Sequence, residues 1–122
     1  MIDFGRVEPD TLPLEPAISA LTLAELAAGC HATDDAAERA RRQDRLQRVE
    51  ALLDPLPFDR EAARAYGRVD AATRSSDRKP RGARAIDLLI AAVALANGLP
   101  LFTRNRDDFS HLEEIGLDLY GV

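Results

Sequence analysis

The stretch RAIDLLIAAVALANGLPLFT, residues 84–103, decides the fold class of this chain. Its first part is rich in alanine and leucine and ends at Gly98, which predicts a mostly buried helix with a glycine stop. The apolar run over residues 99–103 predicts a short strand. This helical run opens with a carboxylate, Asp87, which either caps the helix or binds a positively charged group.

Helical and extended patterns alternate along the rest of the chain, which predicts an α/β layer fold with a parallel sheet. The other predicted elements are a strand near residues 17–20, a helix from about Leu23 to Gly29, a long helix over 34–54, a helix over 59–73, a loop over 74–84, a turn and short helix over 105–116, and an edge strand over 117–122. Thr22 with Glu25 predicts a capping box, and Asp59 predicts a helix N-cap. The helix over 34–54 is amphipathic, with leucines and a valine at helical spacing and an arginine-rich outer face.

Length and composition favour one folded domain spanning residues 1–122. Hydrophobic residues make up 46% of the chain and charged residues 30%, as in globular proteins. The single cysteine, Cys30, excludes an internal disulfide framework and a cysteine-based zinc site, and we expect it to be a small buried or half-buried hydrophobe. No apolar run is long enough to cross a bilayer and no targeting segment is evident, so a cytoplasmic protein is expected.

The net charge of -5 argues against non-specific wrapping of nucleic acid, because phosphate binding needs a basic surface. It does not exclude a nucleic-acid substrate, since bound divalent cations and local arginine clusters reverse the sign of the charge where they lie. Many of the arginines fall in two runs, residues 39–48 and residues 74–84.

Acidic residues follow the predicted strands at the edge where parallel strands end and helices begin, which is where sites collect in α/β folds. These positions are Glu25, Asp87, Asp107 and Asp108. Each has a simpler explanation as a helix cap. If these carboxylates converge, the repulsion between them exceeds the stabilisation that helix capping provides, and a cation must offset it.

The chemistry of these candidates favours Mg²⁺ or Mn²⁺, which bind carboxylate and water oxygens. His31 and His111 lie far apart without ligand spacing, and we expect both to be ordinary surface residues. The sequence alone leaves open whether the carboxylates converge.

Three segments resemble the PIN-domain ribonucleases, specifically the VapC toxins of bacterial toxin–antitoxin systems. They are TLAELAAG, RAIDLLIAAVALANGLPLFTRN and RDDF, and the resemblance runs from about Ile18 to the C-terminus. It implies an α/β/α sandwich around a central parallel sheet of about five strands. It also implies Mg²⁺-dependent (or Mn²⁺-dependent) cleavage of RNA phosphodiesters.

The resemblance assigns roles to individual residues. The acidic positions of the family match Glu25, Asp87 and Asp108, with Asp107 as a substitute for Asp108. The polar residues that line the same pocket match Thr103 and Asn105. Arg81 and Arg84, in the loop before Asp87, are candidates for holding substrate phosphates, with a solvated loop as the alternative.

One family motif is not matched. The family carries a further metal-binding aspartate on its first, central strand, followed by small hydroxylic residues, whereas here Asp3 is followed by Phe4 and Gly5. We therefore expect the first strand and its aspartate to lie upstream of Met1, and this chain to be weakly active or inactive. Asp3 as the first ligand is the alternative.

Two other classes of function stay open. A PIN-like module without catalysis would only bind an antitoxin or RNA, and a purely structural partner would use its acidic residues as caps. A VapC-type toxin implies a small cognate antitoxin. The helices over 34–54 and 59–73 are the natural surface for that antitoxin or for a homodimer, and an exposed apolar patch there would support this assignment.

Overall fold

Four α-helices, two strands and two short 3₁₀ helices make up the regular structure of the described residues. The computed structural model describes residue 1, residues 17–76 and residues 83–122, with the backbone alone at residues 83 and 84. In chain order the elements are α1 (Ala20–Gly29), α2 (Ala36–Leu52), α3 (Arg60–Ser75), α4 (Ala83–Ala96), β1 (Leu101–Thr103), a 3₁₀ helix (Arg106–Asp108), a second 3₁₀ helix (Ser110–Ile115), and β2 (Leu119–Gly121). The predicted α/β character is confirmed.

The buried helix α4 forms the centre of the larger hydrophobic core. Its apolar residues from Leu88 to Ala94 are almost all fully buried, as the sequence predicted. Helix α3 packs along α4 and presents Ala62, Ala65 and Val69 to it. After α4 the chain turns at Gly98, whose φ of 62° lies in the left-handed region that glycine adopts at little cost.

The strands are parallel. Leu101 pairs with Leu119 and Thr103 with Gly121, so β1 and β2 run side by side in register. On the opposite side of β1, the carbonyl of Met1 accepts a hydrogen bond of 2.8 Å from the amide of Phe102, and the Met1 amine donates to the Pro100 carbonyl. Met1 therefore lies in parallel register beside the start of β1.

A separate parallel bridge joins Ser19 to Leu56 through two hydrogen bonds of 2.8 Å, from Ala20 N to the Leu56 carbonyl and from Leu56 N to the Ile18 carbonyl. Every strand pairing in the described residues is thus parallel, as predicted. Of the predicted strand near residues 17–20, only Ser19 makes a strand-type pairing, because Ala20 already begins α1.

Helices α1 and α2 pack on each other around a smaller apolar cluster. Ile18 and Val49 are its buried members, and three partly buried leucines pack against them: Leu23, Leu26 and Leu53. The arginine-rich outer face of α2 is confirmed, with the Arg41 and Arg48 side chains 67% and 75% exposed. Leu52, at helical spacing with the buried Val49, is nevertheless 80% exposed.

No helix among residues 17–76 and 83–122 has both the length and the hydropathy that crossing a bilayer requires.

Candidate active site

The candidate site is centred on the turn that follows β1. Thr103 is fully buried, and its Oγ1 accepts a hydrogen bond of 3.0 Å from the amide of Asn105. The carbonyl of Asn105 in turn accepts a bond of 3.0 Å from the amide of Asp108. The structure therefore brings together three of the predicted site residues, and we refer to residues 105–109 as the acidic turn.

The acidic turn is anchored to the core by Phe109, which is 1% exposed and directly follows Asp108. Asp108 is half-buried, whereas Asp107 is exposed. Asp108 thus lies nearer the protein interior than Asp107, and the choice between the two as an acidic site residue stays a prediction.

Asp87 lies in the second turn of α4, not at its start. The helix begins at Ala83, so Asp87 is its fifth residue, and its neighbour Leu88 is fully buried. The prediction that Asp87 opens the helix is wrong, because α4 begins soon after Gly82, ahead of the apolar run. Since caps and the helix dipole act at the first turn, a capping role does not explain this half-buried carboxylate.

Glu25 is also one turn further into its helix than predicted. The hydroxyl of Ser19 caps α1 by accepting a hydrogen bond of 3.0 Å from the amide of Thr22, and it lies 3.1 Å from the Thr22 hydroxyl. The predicted capping box of Thr22 with Glu25 is therefore wrong, because Ser19 takes the cap position three residues earlier. Glu25 is exposed on α1, which contacts α4, the helix that carries Asp87.

The donor set fits a hard divalent cation, since Glu25, Asp87 and Asp108 offer carboxylate oxygens and the two histidines are not near one another in the chain. Among residues 1, 17–76 and 83–122, however, no three His, Cys, Asp or Glu side chains are grouped closely enough to hold a metal ion. Convergence of the carboxylates at a metal stays a prediction.

Several predicted positions fall outside the described residues. Asp3 and Arg81 lie outside them, and the prediction about the first strand concerns residues outside them as well. Arg84 belongs to α4, but its side chain is not described. The assignment of substrate contacts to the two arginines stays a prediction.

The two histidines differ in environment. His31 is exposed, as expected. The expectation of a surface residue is wrong for His111, which is half-buried and places Nε2 2.9 Å from the hydroxyl of Thr73. This pairing joins residues 38 positions apart, and no local pattern in the sequence could have indicated it. Cys30 is buried, as predicted.

Comparison with known proteins assigns the family. A sequence model of the PIN domain matches residues 9–115. The chain is 38% identical over 108 residues to Ribonuclease VapC5 of Mycobacterium tuberculosis, an alignment that covers 88% of this chain and 76% of that protein.

Solved structures agree with this assignment. The chain superposes on a member of the VapBC family of toxin–antitoxin systems, VapBC-5 from Mycobacterium tuberculosis, with a TM-score of 0.80, 32% identity and coverage of 99% of this chain and 94% of that one. FitAcB from Neisseria gonorrhoeae matches with a TM-score of 0.72, 26% identity and coverage of 91% and 78%. By sequence and by fold, the chain belongs to the PIN-domain family and is a VapC-type member of it.

Proposed function

We propose that this chain is a metal-dependent endoribonuclease that acts as the toxin of a toxin–antitoxin pair. The observation that carries the proposal is the 38% identity over 108 residues to a protein named a ribonuclease. The resemblance to the family assigns its acidic positions to Glu25, Asp87 and Asp108. Family membership alone would leave the activity open, because one fold hosts many functions.

In the proposed site, Asp87, Glu25 and Asp108 hold Mg²⁺ or Mn²⁺ through carboxylate oxygens. When bound there, such an ion supplies Lewis acidity, which makes a water a better nucleophile and offsets charge that develops on the phosphate. Asp107 is the substitute for Asp108.

Other residues of the chain position the carboxylates and the substrate. The Thr103 hydroxyl and the Asn105 carbonyl fix the backbone of the acidic turn, which orients Asp108. Arg81 and Arg84 are proposed to bind RNA phosphates near Asp87, because guanidinium groups form paired hydrogen bonds with phosphate oxygens.

The proposed partners are a cognate antitoxin and a second copy of the chain. Leu52 is 80% exposed and Phe58 is 37% exposed, and both lie where α2 leads into α3, the surface predicted for such partners. Exposed apolar patches mark sites of contact with other proteins, so this surface is the first to test. The matched VapBC-5 structure is named as a member of a family of toxin–antitoxin systems, which supports an antitoxin as the first partner to test.

The test is a calorimetric titration with Mn²⁺ of the wild-type chain, of Asp87→Asn and of Asp118→Asn, followed by RNA cleavage assays. Asp118 is an exposed aspartate before β2 and serves as the matched control. Saturable Mn²⁺ binding and weak cleavage are expected in the wild-type chain and in Asp118→Asn. Both are expected to vanish in Asp87→Asn. A folded wild-type chain that neither binds Mn²⁺ nor cleaves RNA would reject the proposal in favour of a binding module.

Three further variants resolve the remaining assignments. Asp108→Asn is expected to impair cleavage more than Asp107→Asn, because Asp108 is the half-buried member of the pair. Asp3→Asn separates the two accounts of the first motif. Loss of activity in that variant would make Asp3 the first ligand, while unchanged activity would reject Asp3 as a ligand.

A further inference from the structure

The hydrogen bond between Thr73 and His111 connects α3 to the second 3₁₀ helix. Thr73 is fully buried, and its hydroxyl donates its single hydrogen to the Val69 carbonyl at 2.8 Å. The hydroxyl oxygen keeps its capacity to accept and lies 2.9 Å from His111 Nε2, so a hydrogen on Nε2 satisfies both contacts at once.

The second 3₁₀ helix and the acidic turn form one connected unit. Nη2 of Arg106 lies 3.0 and 3.2 Å from the two carboxylate oxygens of Glu113, which joins the two 3₁₀ helices. The hydroxyl of Ser110 donates to the Asp107 carbonyl at 3.3 Å, and the amide of Leu112 donates to the Phe109 carbonyl at 2.9 Å. These contacts connect the 3₁₀ helix that carries His111 to the acidic turn.

Apolar contacts and a directional bond both hold this unit. Phe109 and Leu112 are buried and anchor it to the core, through contacts that carry no hydrogen-bond direction. The Thr73–His111 bond is directional and has one end on α3. Helix α3 packs along α4, the helix that carries Asp87.

We propose that His111 is a positioning residue, which fixes the acidic turn relative to α3 and α4 through Thr73. The inference rests on the proposed function for its consequence, because the turn carries Asp108, a proposed metal ligand. Its structural part can be tested without any activity.

The first test is native-state hydrogen exchange at the amides of Asp108 and Phe109, which donate to the Asn105 and Arg106 carbonyls at 3.0 Å. In His111→Leu both amides are expected to exchange about tenfold faster than in wild type, because one directional restraint on the turn is lost. His111→Gln keeps a side-chain N–H and is expected to restore most of the protection.

Two controls separate a local effect from a loss of stability. His31→Leu removes the other histidine, which is exposed, and is expected to leave the turn unchanged. The amide of Arg39, which donates to the Asp35 carbonyl at 2.9 Å in α2, is expected to keep its wild-type rate in every variant. Thr73→Val removes the acceptor of the same hydrogen bond at similar volume, so it should also accelerate exchange at Asp108 and Phe109. It replaces His111→Leu in the test if that variant folds poorly. Thr73→Ser keeps the hydroxyl and should exchange at the wild-type rate.

The second test is the effect on metal binding and cleavage. In His111→Leu and Thr73→Val we expect a fall of about tenfold in Mn²⁺ affinity and in kcat, with KM for RNA within about twofold of wild type. His111→Gln and Thr73→Ser should recover much of both, which a merely destabilised core would not show.

The outcomes distinguish the two proposals. Wild-type exchange at Asp108 and Phe109 in both His111→Leu and Thr73→Val would overturn the positioning role, whatever the enzyme does. Faster exchange in a protein whose wild type neither binds Mn²⁺ nor cleaves RNA would keep the positioning role and reject the proposed function. Faster exchange with unchanged Mn²⁺ affinity and kcat would overturn the role of His111 in the site.

Discussion

Leu88 and Leu52 form a matched pair, because substitution by alanine is expected to lower the free energy of unfolding severalfold more at one position than at the other. Both are helical leucines, but Leu88 is fully buried whereas Leu52 is 80% exposed. Leu88→Ala removes core contacts and leaves a cavity, so it should lower the free energy of unfolding by ~2–5 kcal/mol. Burying a whole leucine contributes about 1.5–3 kcal/mol, of which Leu52 realises about a fifth, so Leu52→Ala should cost about 0.5 kcal/mol.

The assay is urea denaturation followed by far-UV circular dichroism, with m-values compared to verify that the same transition is measured. Equal costs for the two variants would refute the packing described for α2. If the two costs are equal only at high protein concentration and differ after dilution, a second copy of the chain covers Leu52. The reason is that association stabilises the folded state by mass action.

Two further predictions concern the ends and the surface of the helices. Asp59→Ala should lower the free energy of unfolding by about 1 kcal/mol, because the Asp59 carboxylate caps α3 by accepting a 3.0 Å bond from an amide of its first turn, and Asp59→Asn should retain most of the capping. Hydrogen bonds from Arg41 and Arg42 hold the pKa of Glu38 below its ordinary value. The ionised Glu38 side chain therefore stabilises the fold fully at pH values above its ordinary pKa, and this stabilisation is lost as the pH falls through the lowered pKa of the folded state. Thermal melts should therefore show Glu38→Gln below wild type at neutral pH and equal to it in acid.

Much of the local structure could be predicted because it depends on neighbours in the chain. The spacing of apolar residues gave α2, α3 and α4 nearly to their observed bounds, and Asp59 and Gly98 mark a start and a stop through their own side-chain and backbone chemistry. The family could also be predicted, since the motifs that carry the acidic residues occur in the order and at the separations of that family.

The errors arose where two local signals compete. Thr22 with Glu25 has the spacing of a capping box, but Ser19 offers an equivalent hydroxyl three residues earlier and takes the cap because the chain leaves its bridge with Leu56 at that point. Asp87 likewise stands before an apolar run without starting the helix. In both cases the helix extended upstream of the residue that the pattern marked as its beginning.

For this protein the sequence alone determined which elements form and in what order its acidic residues follow them. Only the tertiary structure decided that Leu52 lies exposed, that Met1 pairs beside β1, and that His111 bonds to Thr73. The reason is physical: helical periodicity states which residues share a face, but what covers that face depends on packing between segments distant in the chain. Directional contacts such as the Thr73–His111 bond arise only after that packing is set.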